Sequence, residues 1–231
     1  MTKLAEPTRN QSPVVCATFP RSGHHYLVNL LSAVLHSKLV YCESYTTGIV
    51  DGANLIKDHD FELNRVADTS ENYIIQIRHP LNAIISLFEQ RLRMNVLSDT
   101  LADWELHAQR EMAYWVNFYS KWVLGVAGSN AFQAVLIRYE DLVTNPSVPV
   151  TAAIRHLGFS PPPNLQNDSL QTALSQTASS GMRMDGHFIR KRQLRNVLSF
   201  RYFDKPFLEQ LLAPVSPLDR ASEWQYDHIG N

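Results

Sequence analysis

The sequence has little cysteine and no long apolar run, and each shortage excludes a class of protein. Only two of its 231 residues are cysteines. Cys16 and Cys42 are too few for a disulfide framework and are typical of a reducing compartment. No segment reaches the roughly 18 consecutive apolar residues that a membrane-spanning helix needs, and residues 1–13 lack the apolar core of a secretory signal. We therefore expect a soluble, cytoplasmic protein without a membrane partner, in which Cys16 belongs to the core.

Excess charge of either sign is also missing. The chain carries 21 Lys and Arg against 22 Asp and Glu, a formal net charge of −1, with an isoelectric point near 6.8. This balance does not favour binding to nucleic acid. Because 45% of the residues are hydrophobic, the chain can build a sizeable core. We expect a single domain over residues 1–231, with residues 1–12 flexible.

Short apolar runs alternate with longer helical patterns along the chain, as in βαβ units. The runs predict strands over residues 14–16, 54–57, 73–77 and 134–137. The helical patterns cover residues 27–35, a stretch of about 14 residues that begins at Pro80, residues 103–123 and residues 149–157. Gly158 would be the C-terminal cap of the last of these helices. Trp115 and Trp122 belong to an apolar stripe that indicates core packing. The prediction is an α/β fold with three layers, a parallel sheet between helices.

The segment between the first strand and the first helix, residues 17–26, predicts an anion site. A strand, a tight loop and a helix N-terminus together aim backbone N–H groups and the positive end of the helix dipole at one point, and Arg21 adds a positive charge. The segment resembles a nucleotide-binding P-loop, but Thr18 replaces its first glycine and His24-His25 replace its Lys-Ser/Thr pair. The hydroxyl that holds magnesium is therefore missing. This difference favours a phosphate-bearing donor that reacts without a metal.

Further basic side chains follow the next two predicted strands. Lys57 and His59 come after the second strand and Arg78 after the third, with Ser86 two helical turns beyond it. An open parallel sheet binds its ligands beyond the carboxyl ends of its strands, so a ligand with phosphates at two places would fit. Each residue taken alone has an ordinary interpretation: Arg78 in a surface ion pair, Ser86 as a helix residue, His59 as a loop histidine.

Together these segments resemble the sulfotransferases that use 3′-phosphoadenosine 5′-phosphosulfate (PAPS). The stretch Thr18-Phe19-Pro20-Arg21-Ser22-Gly23 is similar to their 5′-phosphosulfate loop. The stretch from Arg78-His79-Pro80 to Ser86 is similar to their 3′-phosphate element. Lys57-Asp58-His59 resembles the segment that carries their catalytic histidine, and Tyr139-Glu140-Asp141 with Asn145-Pro146 resembles the segment that lines the nucleotide. The four elements occur in the family's order over residues 14–146.

The resemblance implies the P-loop nucleotide-hydrolase-like sulfotransferase fold and sulfuryl transfer from PAPS, with adenosine 3′,5′-bisphosphate (PAP) as the product and no metal. It implies that His59 is the general base, that Lys57 and Arg21 stabilise developing charge, and that Arg78 and Ser86 bind the 3′-phosphate. The implied nucleotide-binding residues are Pro20, Arg21, Ser22, Gly23, His24, His25, Tyr26, Arg78, Ser86, Tyr139, Arg190 and Lys191.

Some residues depart from the family pattern. His24, His25 and Tyr26 stand where the family has small hydroxyl or amide residues and a tryptophan. Tyr26 can still stack on adenine, and the imidazole N–H groups can replace the hydroxyl contact. Arg190-Lys191-Arg192 is the nearest counterpart of the family's C-terminal basic element. Asp58 and Asp60 flank the proposed base, and we interpret them as solvated loop acids rather than as groups that orient the imidazole.

The acceptor is expected to be a small molecule. Residues 89–107 and 160–187 would form the walls of its site, and they mix apolar side chains with charged ones. A hydroxyl acceptor is the first choice, an amine is an alternative, and sulfation of a carbohydrate or lipid head group is the second acceptor class.

Three other functions compete with sulfuryl transfer. A P-loop kinase or nucleotide switch would need the missing magnesium ligands. A metalloprotein would need convergence of His24, His25, His59 and His79, which lack a recognisable ligand spacing. A non-catalytic PAPS-binding protein would share the binding residues, and only turnover after substitution of His59 separates it from an enzyme.

Overall fold

A parallel sheet forms the centre of the protein. In a computed structural model, which describes residues 12–43, 51–163, 165–168, 170, 172 and 196–221, five strands pair in the order β2-β3-β1-β4-β5, and every pairing is parallel. The strands are β1 (Val14–Thr18), β2 (Tyr41–Glu43), β3 (Leu55–Asp58), β4 (Asn72–Ile77) and β5 (Gln133–Arg138). Strands β2 and β3 lie on one side of β1, and β4 and β5 lie on the other, so the chain changes sides between β3 and β4. The carboxyl end of β1 therefore lies between the carboxyl ends of β3 and β4, where open parallel sheets bind their ligands.

Helices flank the sheet. They are α1 (His24–Leu35), α2 (Pro80–Arg93), α3 (Leu101–Phe118), α4 (Tyr139–Thr144), α5 (Ser147–His156), α6 (Lys205–Leu212) and α7 (Val215–Ala221). Helix α3 continues directly into a π-helical segment, Tyr119–Ala127. Short 3₁₀ turns lie at His36–Lys38 and Val197–Ser199. No helix in the described parts of the chain is long and apolar enough to cross a membrane.

Two apolar clusters cover the two faces of the sheet. On one face Val15, Ala17 and Ile75 pack with residues of α2, α3, α6 and α7. On the other face Cys16 and Ile74 pack with residues of α1 and α5. Successive side chains of a strand point to opposite faces, which explains the alternation along β1. The predicted three-layer α/β fold with a parallel sheet is therefore confirmed.

The predicted elements correspond closely to the observed ones. The helix expected over residues 149–157 ends as predicted at Gly158, which has φ 79°. Gly158 N donates to Arg155 O at 2.9 Å and Phe159 N donates to Ile154 O at 3.0 Å, the two bonds of a Schellman motif. The stripe of α3 is core, as predicted: Trp104, Trp115 and Trp122 are all buried. Strand β2 was missed because it is only three residues long.

Several predicted features lie outside the described residues. They are residues 1–11, most of the segment predicted to be flexible, the basic residues Arg190, Lys191 and Arg192, and most of the second predicted acceptor wall.

Candidate active site

The loop after β1 lies at the carboxyl edge of the sheet and contains two residues in left-handed backbone conformations. Arg21 takes a left-handed backbone conformation, φ 65°, and Gly23 takes another, φ 81°, just before α1 begins at His24. Gln76, fully buried on the neighbouring strand β4, donates from Nε2 to Ser22 O at 2.9 Å. Left-handed non-glycine residues persist only where the surroundings fix them, and they cluster at ligand sites.

The serine of this loop carries an unsatisfied hydroxyl. Ser22 is 1% exposed, and its Oγ has no hydrogen-bond partner among the described residues. Leaving such a group unpaired costs about 1–3 kcal/mol. The hydroxyl lies beside the N-terminus of α1, which attracts anions. A phosphate oxygen would satisfy this hydroxyl, so the loop fits the phosphate ligand that the sequence predicts.

Gly23 is required by a close contact as well as by its backbone angle. A Cβ built on Gly23 would lie 2.4 Å from Cδ2 of Tyr139. The same tyrosine ring lies under the guanidinium of Arg78, with Cζ 4.2 Å from the ring centroid. Tyr139 therefore joins the loop after β1 to the residue that follows β4, through stacking and a cation–π contact.

Arg78 is fixed from three sides. It is 7% exposed, its NH1 donates to Arg21 O at 3.3 Å, and its own carbonyl accepts a bond of 3.1 Å from Nε1 of Trp115. Next to it, His79 N donates to Oε1 of Glu140 at 3.0 Å at the start of α2. The Tyr-Glu pair recognised in the sequence thus holds both residues of the Arg-His segment.

Ser86 contacts Arg21 of the loop after β1. The sequence groups Ser86 with Arg78, but in the structure Arg21 Nε donates to Ser86 Oγ at 3.1 Å. Ser86 lies two turns along α2, which brings it back over the loop after β1. The two residues predicted to bind the phosphates at opposite ends of the nucleotide, Arg21 and Ser86, therefore touch each other.

Lys57 lies within β3 rather than after it and is 5% exposed. Strand pairing places it beside Glu43 of β2, and Nζ donates to Glu43 Oε1 at 3.1 Å. His25 Nε2 lies 3.3 Å from the same Nζ and 3.2 Å from the same carboxylate oxygen. Tyr41 OH donates to that oxygen at 2.8 Å. Glu43 was missed because β2 was not recognised; its alternation with Tyr41 was the only available signal.

His59 lies at the same edge of the sheet, and one hydrogen bond fixes its tautomer. Nδ1 is 2.6 Å from Thr18 O. Because a carbonyl oxygen can only accept, Nδ1 carries the proton and the Nε2 lone pair is the basic one. Burial, followed by the charge of Lys57, lowers the pKa of His59 to about 4. The imidazole is therefore neutral at pH 7, as a general base must be.

Two residues predicted to contact the nucleotide, His24 and Tyr26, have other neighbours in this structure. His24 is buried at the start of α1, with Nδ1 3.3 Å from the Cys16 sulfur, and burial lowers its pKa well below the ordinary value. Tyr26 is 3% exposed and packs in the core on the α1 face of the sheet. Stacking of Tyr26 on adenine stays a prediction. Little of the ring surface is exposed for such a contact.

The interpretation of Asp58 and Asp60 as solvated acids is wrong. Asp60 is 6% exposed, and its carboxylate accepts bonds from Lys121, Trp122 and the backbone of Arg65. Asp58 accepts from Asp60 N at 2.7 Å and from Arg65 NH1 at 3.2 Å. The sequence suggested exposure because charged loop residues are usually exposed. Two of the partners of Asp60, Lys121 and Trp122, lie about 60 residues away in the chain, which no local pattern indicates.

Neither cysteine forms a disulfide bond. Cys16 and Cys42 are both free and buried, and Cys16 is core, as predicted. Among the described residues no group of three or more His, Cys, Asp or Glu side chains is arranged to hold a metal ion.

Comparison with known proteins identifies the fold. No family model and no curated protein sequence matches the chain. Solved structures do match. Mouse sulfotransferase SULT7A1 complexed with PAP has a TM-score of 0.65 at 15% identity, over 93% of this chain and 86% of that one. Retinol dehydratase in complex with androsterone and the inactive cofactor PAP has a TM-score of 0.64 at 15% identity, over 96% and 84%.

A bacterial structure extends this agreement. The sulfotransferase from Alicyclobacillus acidocaldarius has a TM-score of 0.56 at 12% identity, over 94% of this chain and 98% of that one. The chain therefore has the sulfotransferase fold, and the fold that the sequence motifs implied is confirmed.

Proposed function

We propose that this protein transfers the sulfuryl group of PAPS to a hydroxyl of a small-molecule acceptor, with His59 as the general base. One observation carries the proposal. The unsatisfied hydroxyl of Ser22, the guanidinium of Arg78 on Tyr139 and the neutral imidazole of His59 all lie at the carboxyl edge of one parallel sheet. This is where such a sheet binds a nucleotide.

The residues of the loop after β1 would bind the 5′ end of the donor. Backbone N–H groups at the start of α1, the Ser22 hydroxyl and the Arg21 guanidinium are all donors, which suits an anionic ligand. Arg78 would bind the 3′-phosphate, with Tyr139 holding the guanidinium in place. The contact between Arg21 and Ser86 places the Ser86 hydroxyl beside the Arg21 guanidinium.

His59 would accept the proton of the acceptor. The acceptor oxygen attacks sulfur, the bond between sulfur and the bridging oxygen of the 5′-phosphate breaks, and the acceptor proton moves to Nε2. The electron pair of the broken bond leaves with the phosphate, which gives PAP. Since the pKa of His59 is about 4, the base is available throughout the neutral range, and the proton transfer depends on close placement rather than on high basicity.

Lys57 and Arg21 would stabilise the charge that builds on the sulfuryl oxygens and the leaving phosphate. The ammonium of Lys57 is held by Glu43 and lies next to His25. A fixed donor needs no reorganisation when the charge develops. We infer that Glu43 supports catalysis by placing Lys57.

An aromatic surface beside His59 supports a small organic acceptor. Phe61 is 55% exposed, and its ring centroid is 4.9 Å from that of His59. The Tyr114 ring lies 6.3 Å from Phe61 and 5.1 Å from Phe19. Androsterone, in the retinol dehydratase structure, is a small molecule. A carbohydrate or lipid head group and an amine remain the alternative acceptors.

The first experiment is calorimetric titration of the protein with PAP, beside ATP with magnesium. We expect PAP to bind without metal, and Arg78→Ala to weaken it about 10- to 100-fold, the value of a charge-assisted hydrogen bond. Arg155→Ala removes an exposed arginine from α5 and is the matched control. Binding of ATP with magnesium but not of PAP would overturn the proposal in favour of a kinase.

PAP release from PAPS would then be measured over a panel of acceptors. The panel would hold phenols, alicyclic alcohols, amines, sugars and lipid head groups. Release above the rate with water alone identifies the acceptor class. Binding of PAP with no release over the whole panel would indicate a PAPS-binding protein without transferase activity.

A further inference from the structure

We infer that Asp60 is a positioning residue for His59, and that the π-helical segment after α3 holds it in place through Lys121 and Trp122. The inference rests on the proposed function, since it assigns a purpose to the placement of the base. Nothing in the resemblance to sulfotransferases assigned a role to Asp60.

Every polar group of Asp60 has a partner. Oδ2 accepts from Lys121 Nζ at 2.5 Å and from Trp122 Nε1 at 2.9 Å. Oδ1 accepts from Arg65 N at 2.9 Å. The backbone N donates to Asp58 Oδ1 at 2.7 Å, and the carbonyl accepts from Leu63 N at 2.8 Å. The residue is therefore immobilised, with its side chain fully buried.

The backbone of Asp60 is strained. Its φ is 46°, in the left-handed region that residues with a Cβ rarely adopt. Strain of this kind costs about 1–3 kcal/mol and persists only where surrounding contacts enforce it. Here the enforcing contacts are the three bonds to the carboxylate.

The long side chain of Lys121 explains how two consecutive residues reach one oxygen. In a regular α-helix neighbours in sequence point in different directions. Lys121 and Trp122 lie in π-helical geometry, which is rare and often found at functional sites. The Lys121 ammonium folds back to 5.0 Å from the Trp122 ring, and it also donates to Leu63 O at 3.1 Å.

His59 lies between two fixed residues as a result. Asp60 is held on one side and Asp58 on the other, where Arg65 donates to its carboxylate. Tyr114 OH donates to the His59 carbonyl at 2.5 Å. The backbone of the base is therefore anchored to α3 and to the segment that follows it, and the bond from Nδ1 to Thr18 O depends on that backbone position.

A purely structural role would not require this arrangement. A buried ion pair is weak evidence for stability, because apolar residues of the same volume often stabilise as much or more. A buried carboxylate that enforces a left-handed backbone at Asp60 also fixes the backbone of the neighbouring His59. Apolar packing would not fix that position. Since a misplacement of about 1 Å can cost about 10²-fold in rate, placement is the effect to measure.

The test is nuclear magnetic resonance of the His59 imidazole nitrogens, assigned by the signal that His59→Gln removes. In the wild type we expect one tautomer, with the proton on Nδ1. In Trp122→Phe, which keeps the ring but loses the donor, and in Lys121→Met we expect shifts toward a mixture of both tautomers. Asp60→Ala should give the largest shift. With the best acceptor, kcat should fall about 10-fold in Trp122→Phe, with KM for PAPS unchanged.

Trp115→Phe is the matched control. It removes a buried Nε1 donor from the same helix, but one that binds Arg78 O instead of Asp60. We expect it to weaken PAP binding about 10-fold and to leave the His59 nitrogens unchanged. Trp122→Phe should thus change the His59 signals, and Trp115→Phe should change PAP binding instead.

Two results would overturn the inference: folded Trp122→Phe and Lys121→Met variants with wild-type His59 signals, or an equal shift in Trp115→Phe. These variants keep most of each side chain, so the test holds even if Asp60→Ala does not fold. The proposed function fails separately, through absence of PAP binding to the wild type, because the His59 signals can be read without ligand.

Discussion

The two halves of the candidate site are held in different ways. The nucleotide half consists of the loop after β1, Arg78, Ser86 and Tyr139. It is held by a cation–π contact and by bonds to backbone carbonyls. The base half consists of Lys57, His59 and Asp60, and it is held by two carboxylates, that of Glu43, which is half-buried, and that of Asp60, which is buried. The nucleotide half presents N–H and O–H donors that would bind phosphates. The base half uses charged side chains to position an uncharged imidazole.

This contrast follows from what each half would do. A phosphate site needs positive charge and N–H groups directed at the ligand. A general base needs one lone pair in one position. Helix α3 and its π-helical continuation connect the halves, since Trp115 binds Arg78 O and Trp122 binds Asp60. If the contrast is right, substitutions in the base half should lower the rate of transfer, and substitutions in the nucleotide half should lower the affinity for PAP.

Of all the substitutions, His59→Gln is expected to affect turnover most strongly relative to PAP affinity. Loss of a general base typically reduces turnover about 10²- to 10⁴-fold. Because His59 lies in the base half, PAP affinity measured by calorimetry should stay within about threefold of the wild type, a change under 1 kcal/mol. The rate is to be measured as PAP release with the best acceptor of the panel. Equal losses of rate and PAP affinity would contradict the division into halves.

The pH dependence of stability gives the next largest effect. Burial lowers the pKa of His59 from 6.5 to about 4 in the folded protein. Between these two values the unfolded chain binds the proton and the folded one does not, so stability is full above pH 6.5 and falls as the pH drops toward 4. A shift of this size corresponds to about 3 kcal/mol.

Denaturant titrations of the wild type and His59→Gln at several pH values isolate this contribution. His24, His107 and His156 also have lowered pKa values, and burial, the first cause of each shift, is present in both proteins. The charge of His59 is only a lesser cause of the His24 shift, so most of the difference between the two curves belongs to His59. Parallel curves between pH 6.5 and 4 would show that the imidazole is not kept neutral by burial.

Gly23→Ala tests how closely the nucleotide half is packed. Gly23 and Gly52 share almost the same backbone angle, φ 81° and 78°, but a Cβ at Gly52 meets nothing within 4 Å. Both substitutions carry the left-handed penalty, while only Gly23→Ala displaces Tyr139. We expect Gly23→Ala to lower the free energy of unfolding by about 1–3 kcal/mol more than Gly52→Ala, and also to weaken PAP binding. Similar losses in both variants would contradict the contact with Tyr139.

Ser86→Ala should have the smallest effect. It removes one hydroxyl beside Arg21, worth about 0.5–1.5 kcal/mol, so PAP affinity should fall about 3- to 10-fold with kcat unchanged. Ser120→Ala is the control, because its hydroxyl binds only a helix carbonyl, Val116 O, at the surface. A fall in kcat with unchanged affinity would move Ser86 into the base half.

The nucleotide half could be predicted from the sequence to a greater extent than the base half. The positions of Arg21, Gly23, Arg78 and Tyr139 follow from short motifs at the ends of strands, and the parallel sheet brings those ends together. The contact of Ser86 with Arg21 could not be predicted, since it depends on how α2 crosses the sheet.

The base half depends on residues distant in the chain. His59 and Lys57 were predicted, but Glu43 lies on a strand too short to recognise. In the nucleotide half Gln76 of β4, which binds Ser22 O, was also missed, although a polar residue in a buried strand was a usable signal. Asp60 was assigned the wrong environment, because its partners Lys121 and Trp122 belong to a helix that the sequence showed only as an apolar stripe.

The sequence alone determined the layered α/β fold, the edge of the sheet that carries the site, and the charged residues present there. Periodicity and strand-end motifs are local properties, so a single chain displays them directly. The tertiary structure decided the partners: Glu43 beside Lys57, Tyr139 beneath Arg78, and the π-helical segment against Asp60. Contacts between layers depend on strand order, helix crossing and the geometry of each helical turn, which are fixed only when the whole chain packs.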